Sequence, residues 1–474
     1  MQKTSFFIGI LFICFCFNAC QDDLDDNIIP ADQLQLNGFI WRAMNIFYLE
    51  KSAIPDLADD RFENTEDFSE FLAGFSSPEA LFDHLITPTD RFSIIVSDFR
   101  VLEDALNGIR VDNGMRFGLV QISGTSDVFG YVRYVLPNSP AASQGIERGM
   151  LFNKVNGVRF TTETNFNSLF SGNTYSISLA ELENGNLTDT DTEIELNKIE
   201  LTEQAIHVTQ IFEHNGQKVG YLMYNGFRRN QEAELNSVFG NFAAKGVNEL
   251  VLDLRYNSGG DLRTAVDLSS MITGQFAGNL FATQEFNDNF DDEPIAFTTQ
   301  NRSSESLNSL NLSRVYILTS PTTASASEMV ISGLLPYIDV IQIGTNTVGK
   351  YQGSTTLYDS ENFRRQNASL SHTYALQPII LKLINSAGFT DFDDGIPPAI
   401  EQPENFTNLG TLGDENEPLL RTALEDIGFN LDRPALKSLT PVFGELLMDD
   451  DEKQIDYQRM YVDPKKKIII SAFN

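Results

Sequence analysis

The stretch TSPTTASASEMVISGL, Thr319 to Leu334, decides how this chain is read. Just before it, RVYIL is an apolar run rich in residues that favour a buried strand. SEMVISGLL has helical periodicity, so Ser325 and Ser327 fall at a strand-to-helix turn. A helix N-terminus leaves backbone N–H groups unpaired and carries partial positive charge, which suits a developing oxyanion. It suits a capping side chain equally well. Taken alone, SASE reads as a cap, because Ser is a preferred N-cap and Glu328 completes a capping pattern.

Outward from that turn, Leu201 to Ala435 alternates strands with helices. QKVGYLMYNGF, VNELVLDLR, SRVYILT and VIQIG are apolar and β-rich, whereas NQEAELNSVFGNFAAKG and DLRTAVDLSSMIT have helical periodicity. Such alternation predicts a layered α/β architecture with buried strands. The polar FNDNFDDEPIAFTTQNRSSESLNSLN is expected to be a loop insertion. Residues 31–107 read as a helical domain, with Trp41 a core residue of its first helix. Residues 108–200 read as short strands and turns, 201–435 as the α/β domain, and 436–474 as a C-terminal tail whose KKKIIISAFN supplies a last strand.

The chain has 474 residues, 42% hydrophobic, and a net charge of −33. Two or three domains fit that length, and the charge makes nucleic acid and anionic membrane surfaces poor partners. The three cysteines are Cys14, Cys16 and Cys20, all in the first twenty residues. The apolar run Phe6 to Phe17 rises only about 18 Å as a helix, short of a bilayer core of roughly 30 Å, and reads as an export signal. Of the four histidines, His84, His207, His214 and His372, none has zinc-ligand spacing. There is no G-x-x-x-x-G-K-[ST] loop, no G-x-G-x-x-G run after a strand and no G-x-S-x-G elbow. No metal and no organic cofactor is implied.

Three resemblances sharpen this reading. Ala19-Cys20 resembles the lipobox of bacterial lipoproteins, which implies residues 1–19 as signal peptide, a lipid on Cys20, and residues 20–30 as an acidic tether. That implies a bacterial cell-envelope protein anchored to the outer membrane, on its periplasmic or outer face. GYVRYVLPNSPAASQGIERGMLFNKVNGVRF resembles a PDZ domain, whose carboxylate-binding loop maps onto Arg116, Phe117, Gly118 and Leu119. Finally, DLRYNSGG, TASASE and TNTVGK occur in the order and spacing of the C-terminal processing peptidases, the S41-type, tail-specific serine peptidases.

Membership would imply a crotonase/ClpP-like α/β peptidase core beside a PDZ-like β domain and a helical N-terminal region. It also implies a serine endopeptidase with Ser325 as nucleophile and Lys350, twenty-five residues on, as base. A hydroxyl needs an adjacent base, and a lysine serves only when burial lowers its ordinary value of about 10.4. The oxyanion would rest on N–H groups of Gly259 or Gly260 and of Ala326. The family's orienting Gln, four residues after the Lys, is replaced here by Ser354, and Gln352 stands two after it. Either is expected to orient the amine. The implied partner is a protein or peptide with a free C-terminus; oligomeric state is left open. The alternative is a catalytically weak or inactive protein binding peptides or a hydrophobic ligand on the same fold.

Overall fold

A computed structural model describes residues 32–183, 186–406, 408–431 and 443–463. The signal sequence, Cys20 and KKKIIISAFN lie outside the described residues. No described helix is long and apolar enough to cross a membrane.

The N-terminal region is built from helices Gln33–Phe47, Thr65–Ala73, Pro78–His84 and Phe99–Leu106. Each starts where a polar side chain takes an orphan helix N–H: Asp32, Asn64, Ser77 and Asp98. Trp41 is buried edge-on against Phe62 and Phe68, and its indole donates to Asp56 O at 2.7 Å. Asn287, from the α/β part, donates to Ile46 O and Tyr48 O and so ties the first helix to the rest of the molecule.

Next comes an antiparallel sheet whose strands Met115–Ile122, Val128–Val135, Leu151–Val155, Thr174–Glu183 and Asn186–Asn197 pair in sequence order. The short helix Pro140–Ser143, capped by Ser139, and the Asn156-Gly157 turn fall where the sequence signals place them.

The α/β part contains two six-stranded sheets. In the first, Ile206–His214 and Gln217–Tyr224 form a hairpin, followed by parallel strands Glu249–Asp253, Arg314–Thr319, Asp339–Gly344 and Ile400–Glu401. Helices Glu232–Lys245, Leu262–Thr273 and Ala326–Leu334 belong to the large core on one face, and Pro418–Ile427 joins a second cluster around Tyr221, Tyr316 and Ile343. The second sheet runs Gly260–Asp261, Met460–Tyr461, Gln352–Ser354, Ile379–Asn385, Leu280–Phe286 and Glu293–Ala296.

Two expectations need correction. The polar segment after Phe286 is not wholly loop, because Glu293–Ala296 pairs antiparallel with Leu280–Phe286. The supposed tail is integral: Phe443–Asp449 joins the β domain, and Met460–Tyr461 sits inside the second sheet.

Candidate active site

Helix Ala326–Leu334 begins at the end of the turn that leaves strand Arg314–Thr319, and Ser325 is its N-cap residue. Ser325 has φ 66° and ψ −116°, a conformation that costs an L-residue on the order of 1–3 kcal/mol. Surroundings must hold it there. Its N–H donates to Glu328 Oε2 at 2.6 Å, and its carbonyl accepts Met329 N–H at 3.0 Å. The side chain is fully buried and its hydroxyl has no hydrogen-bond partner. Ser327 is buried too, but its hydroxyl donates to Asn257 O at 3.0 Å. Of the two serines at the turn, only Ser325 has an uncommitted hydroxyl.

Glu328 does more than start the helix. Its Oε2 accepts both Ser325 N–H and, at 2.9 Å, Lys350 N–H. Its Oε1 accepts Gly349 N–H and the Thr347 hydroxyl, each at 2.6 Å. One buried carboxylate therefore clamps the serine turn against the lysine loop. Burial pushes its pKa up, while these four donors pull it back.

Lys350 is fully buried. Its Nζ donates to Gln458 O at 2.6 Å and lies 4.5 Å from the centre of the Phe92 ring. Burial, and then the positive charge of Arg459, hold the amine well below its ordinary pKa. Ser354 and Gln352 share the strand that follows, yet the Ser354 hydroxyl and Gln352 Oε1 are buried without partners. Neither orients the amine as the sequence led us to expect. The amine donates to the Gln458 carbonyl instead, and Ser325 Oγ, which has no partner, is not bonded to it either.

The loop Tyr256 to Leu262 completes the site. Asn257 is its hub: Nδ2 donates to Tyr224 O, Oδ1 accepts Gly259 N–H, and its carbonyl accepts Ala324 N–H and the Ser327 hydroxyl. Gly259 has φ 118°, and a Cβ there would stand 2.7 Å from Ser325 Cβ, so only glycine leaves room for the serine. The two glycines are not equivalent as donors. Gly259 N–H is committed to Asn257, whereas Gly260 N–H points at Arg459 O, 2.7 Å away. Ala326 N–H, first in its helix, has no acceptor among the described residues.

The PDZ-like surface differs from the expected open groove. Arg116 to Leu119 lie within strand Met115–Ile122, and all four are buried. Its outer edge is already paired, antiparallel, with Phe443–Asp449. Phe117 N–H donates to the Asp450 carboxylate at 2.9 Å. The neighbouring acidic run is spent on arginines: Asp449 on Arg133, Asp451 on Arg110. Arg116 is held by Asp112 and Glu203. The chain's own strand thus fills the edge where a peptide would add. Nothing in the composition of EKQIDYQRMYVD, the continuation of that strand, signals that it enters the catalytic region; Asn257 was visible only as part of NSGG.

Residues 218–373 match Peptidase family S41, and residues 35–94 match the Peptidase S41 N-terminal domain. The chain is 25% identical over 230 residues to the carboxyl-terminal-processing protease of Picosynechococcus, 45% of this chain and 49% of that protein. It is 29% identical over 258 residues to a CtpA-like serine protease of Staphylococcus epidermidis, 52% of this chain and 48% of that protein. It thus spans about half the length of the curated relatives it matches. The crystal structure of a candidate S41 protease from Bacteroides fragilis is similar at TM-score 0.64 and 27% identity, over 82% of this chain and 96% of that one. The matched segments contain Ser325, Lys350, the Asn257 to Gly260 loop and, from the N-terminal part, Phe92 beneath the amine, and by these matches the chain carries a peptidase family S41 domain over residues 218–373 and an S41 N-terminal domain over residues 35–94.

Proposed function

We propose that this protein is a serine endopeptidase that cleaves proteins or peptides through an acyl-enzyme, with Ser325 as nucleophile and Lys350 as general base. One observation carries the reading: the backbone nitrogens of Ser325 and Lys350 both bond to Glu328 Oε2, which ties together the backbones of a residue with an unpartnered buried hydroxyl and a residue with a buried amine. Neutral Lys350 takes the Ser325 proton as Oγ attacks the scissile carbonyl carbon. The oxyanion is held by the N–H groups of Gly260 and Ala326. The Lys350 ammonium then protonates the leaving amine, and water hydrolyses the ester with Lys350 again as base. Gln352 Oε1 and the Ser354 hydroxyl, two and four residues beyond the base, are the unpartnered groups that receive the amine once it leaves Gln458.

Recognition of an unstructured C-terminus on the Met115–Ile122 edge is part of this proposal, and it requires Phe443–Asp449 to move aside. So are export, the lipid on Cys20, and a cell-envelope location with the membrane as partner. Replacing Ser325 by Ala or Lys350 by Ala is expected to abolish cleavage of an unfolded protein while leaving the circular dichroism spectrum unchanged. Full activity in either variant would remove the dyad. Mass spectrometry of the mature N-terminus reads the lipid directly, and an unacylated Cys20 would end that part of the proposal.

A further inference from the structure

Gln458 to Asp463 crosses the site in the manner of a bound peptide. Arg459 O accepts Gly260 N–H, and that oxygen and Ser325 Oγ each lie 2.8 Å from the point a Gly259 Cβ would occupy. The chain then runs as a strand. Met460 and Tyr461 pair with Gly260 and Asp261, Tyr461 pairs with Ser354, and Val462 N–H donates to Ser354 O at 2.9 Å. Four residues past the carbonyl at the Gly260 N–H, the Asp463 carboxylate meets two guanidinium groups. Arg229 Nη1 is 2.6 Å from its Oδ1, and Arg302 Nη1 bonds its Oδ2.

Those arginines are aimed from the catalytic loop itself. Arg229 Nε donates to Asp261 Oδ2 at 2.5 Å, and Arg302 Nη2 donates to Asp261 Oδ1 at 2.6 Å. Glu232 lies 3.4 Å from Arg302 Nε. Asp261 directly follows Gly260, so the residue beside the oxyanion N–H also sets the distance to the arginine pair. Asp261 and Glu232 balance the two positive charges, and Asp463 adds a third carboxylate to donors that remain open. Arg229, Arg302 and Asp463 keep 35%, 31% and 44% of their side-chain surface exposed, so another carboxylate has a route in. Beside Val462 and Asp463 lies a cavity of about 540 Å³ lined by Leu262, Val266, Phe286, Phe290, Ile295 and Phe297, which offers room for an apolar side chain at the same end.

We infer that Arg229 and Arg302 form a carboxylate subsite of the substrate groove, four residues to the carboxyl side of the residue presented to Ser325. At rest Asp463 fills it; in turnover a carboxylate of the substrate does. The inference rests on Ser325 being the nucleophile. Two sources share this chemistry: the α-carboxylate of a chain end, and an acidic side chain at the same position of a longer chain.

The test uses the full-length protein. Cleavage sites in an unfolded protein are mapped by mass spectrometry, and a peptide covering one of them and ending four residues beyond the cut is made as free acid and as amide. A longer amidated peptide carries Asp or Asn at that fourth position. Amidation is expected to lower kcat/KM about tenfold or more in the wild type and less than twofold in Arg302→Gln and Arg229→Gln, with Arg302→Lys intermediate. A preference for the acid only assigns the subsite to chain ends; a preference for Asp over Asn in the longer peptide assigns it to acidic side chains. Equal cleavage of all four peptides by the wild type overturns the inference. So does discrimination that survives in both arginine variants. Cleavage that persists in Ser325→Ala, or no cleavage by the wild type, instead removes the serine reading on which it stands.

Discussion

Lys350 Nζ donates to the Gln458 carbonyl at 2.6 Å, while Ser325, whose backbone N–H shares Glu328 Oε2 with that of Lys350, has a hydroxyl without a partner. The proposed base is engaged by the chain's own strand, and the next carbonyl along, that of Arg459, accepts the Gly260 N–H. Both groups the proposed reaction needs are occupied by consecutive residues of one segment. Turnover requires that segment to leave, and the population in which it has left sets how fast Ser325 can be reached.

Val462→Pro is the least invasive way to shift that balance. Proline removes the N–H that donates to Ser354 O and leaves every side chain of the proposed dyad in place. One such bond contributes about 0.5–1.5 kcal/mol, so the open population should rise roughly two- to tenfold. The rate at which a serine-directed covalent probe labels Ser325 should increase by the same factor. An unchanged labelling rate would show that Met460–Tyr461 does not limit access.

The depressed Lys350 pKa has two consequences of known sign. Cleavage should rise with pH as the folded-state amine loses its proton, and then level off. Stability should rise over the next range up, where cleavage has levelled off. Between the lowered folded pKa and the ordinary lysine value the unfolded chain binds the extra proton, so raising pH favours the folded state. Lys350→Met lacks this group. The difference in unfolding free energy between wild type and variant should therefore change by about 1.4 kcal/mol per pH unit inside that window and stay constant outside it. Denaturant titrations across alkaline pH measure it, and parallel curves would place the Lys350 pKa at its ordinary value.

Much of this arrangement is legible along the chain, because it depends on local pattern. The strand, the serine turn and the helix from Arg314 to Leu334 follow from apolar runs and capping chemistry, and the Lys350 loop from its short glycine motif. What is not legible depends on distant residues meeting. Phe92 reaches Lys350 from more than two hundred residues upstream, and Gln458 from over a hundred downstream. No periodicity marks a strand that is completed by partners so remote. The same cause hid the closed edge of the β domain: Met115–Ile122 reads identically whether a ligand or Phe443–Asp449 pairs with it. Glu328 is legible as a cap and not as a clamp, since three of its four donors, the Thr347 hydroxyl and the Gly349 and Lys350 N–H groups, come from a distant loop that only the tertiary fold aligns.

Asn257 should be sensitive out of proportion to its size. It is fully buried, and its amide joins the Tyr224 carbonyl to the Gly259 N–H. Asn257→Ala leaves both groups buried without partners, at a cost of about 2–4 kcal/mol. Gly259 is then free to turn into the space of Ser325, so cleavage should fall by more than stability alone explains. Asn257→Asp keeps the acceptor for Gly259 and should retain more activity than the alanine variant. Chemical denaturation and kcat/KM on the same preparations separate the two effects, and equal activity of Ala and Asp variants would rule out this positioning role.

Glu328→Gln tests the clamp with almost no change in shape. Two carboxylate oxygens receive four donors: the Ser325, Gly349 and Lys350 N–H groups and the Thr347 hydroxyl. An amide replaces one of those oxygens with an NH2 group, which cannot accept and which faces N–H groups head-on. Whichever way the amide turns, at least one backbone N–H loses its acceptor. If the oxygen stays toward Thr347 and Gly349, Ser325 and Lys350 lose their shared partner; in the other orientation the loop before Lys350 is released. Stability should drop by about 2–4 kcal/mol. Cleavage should fall at least a hundredfold under conditions where the variant is still folded, because serine and lysine are then no longer held to one atom. Glu328→Ala, which removes the donor clash along with the acceptors, should be as inactive. If either variant kept wild-type cleavage while folded, the shared carboxylate oxygen would not be what brings Ser325 and Lys350 together.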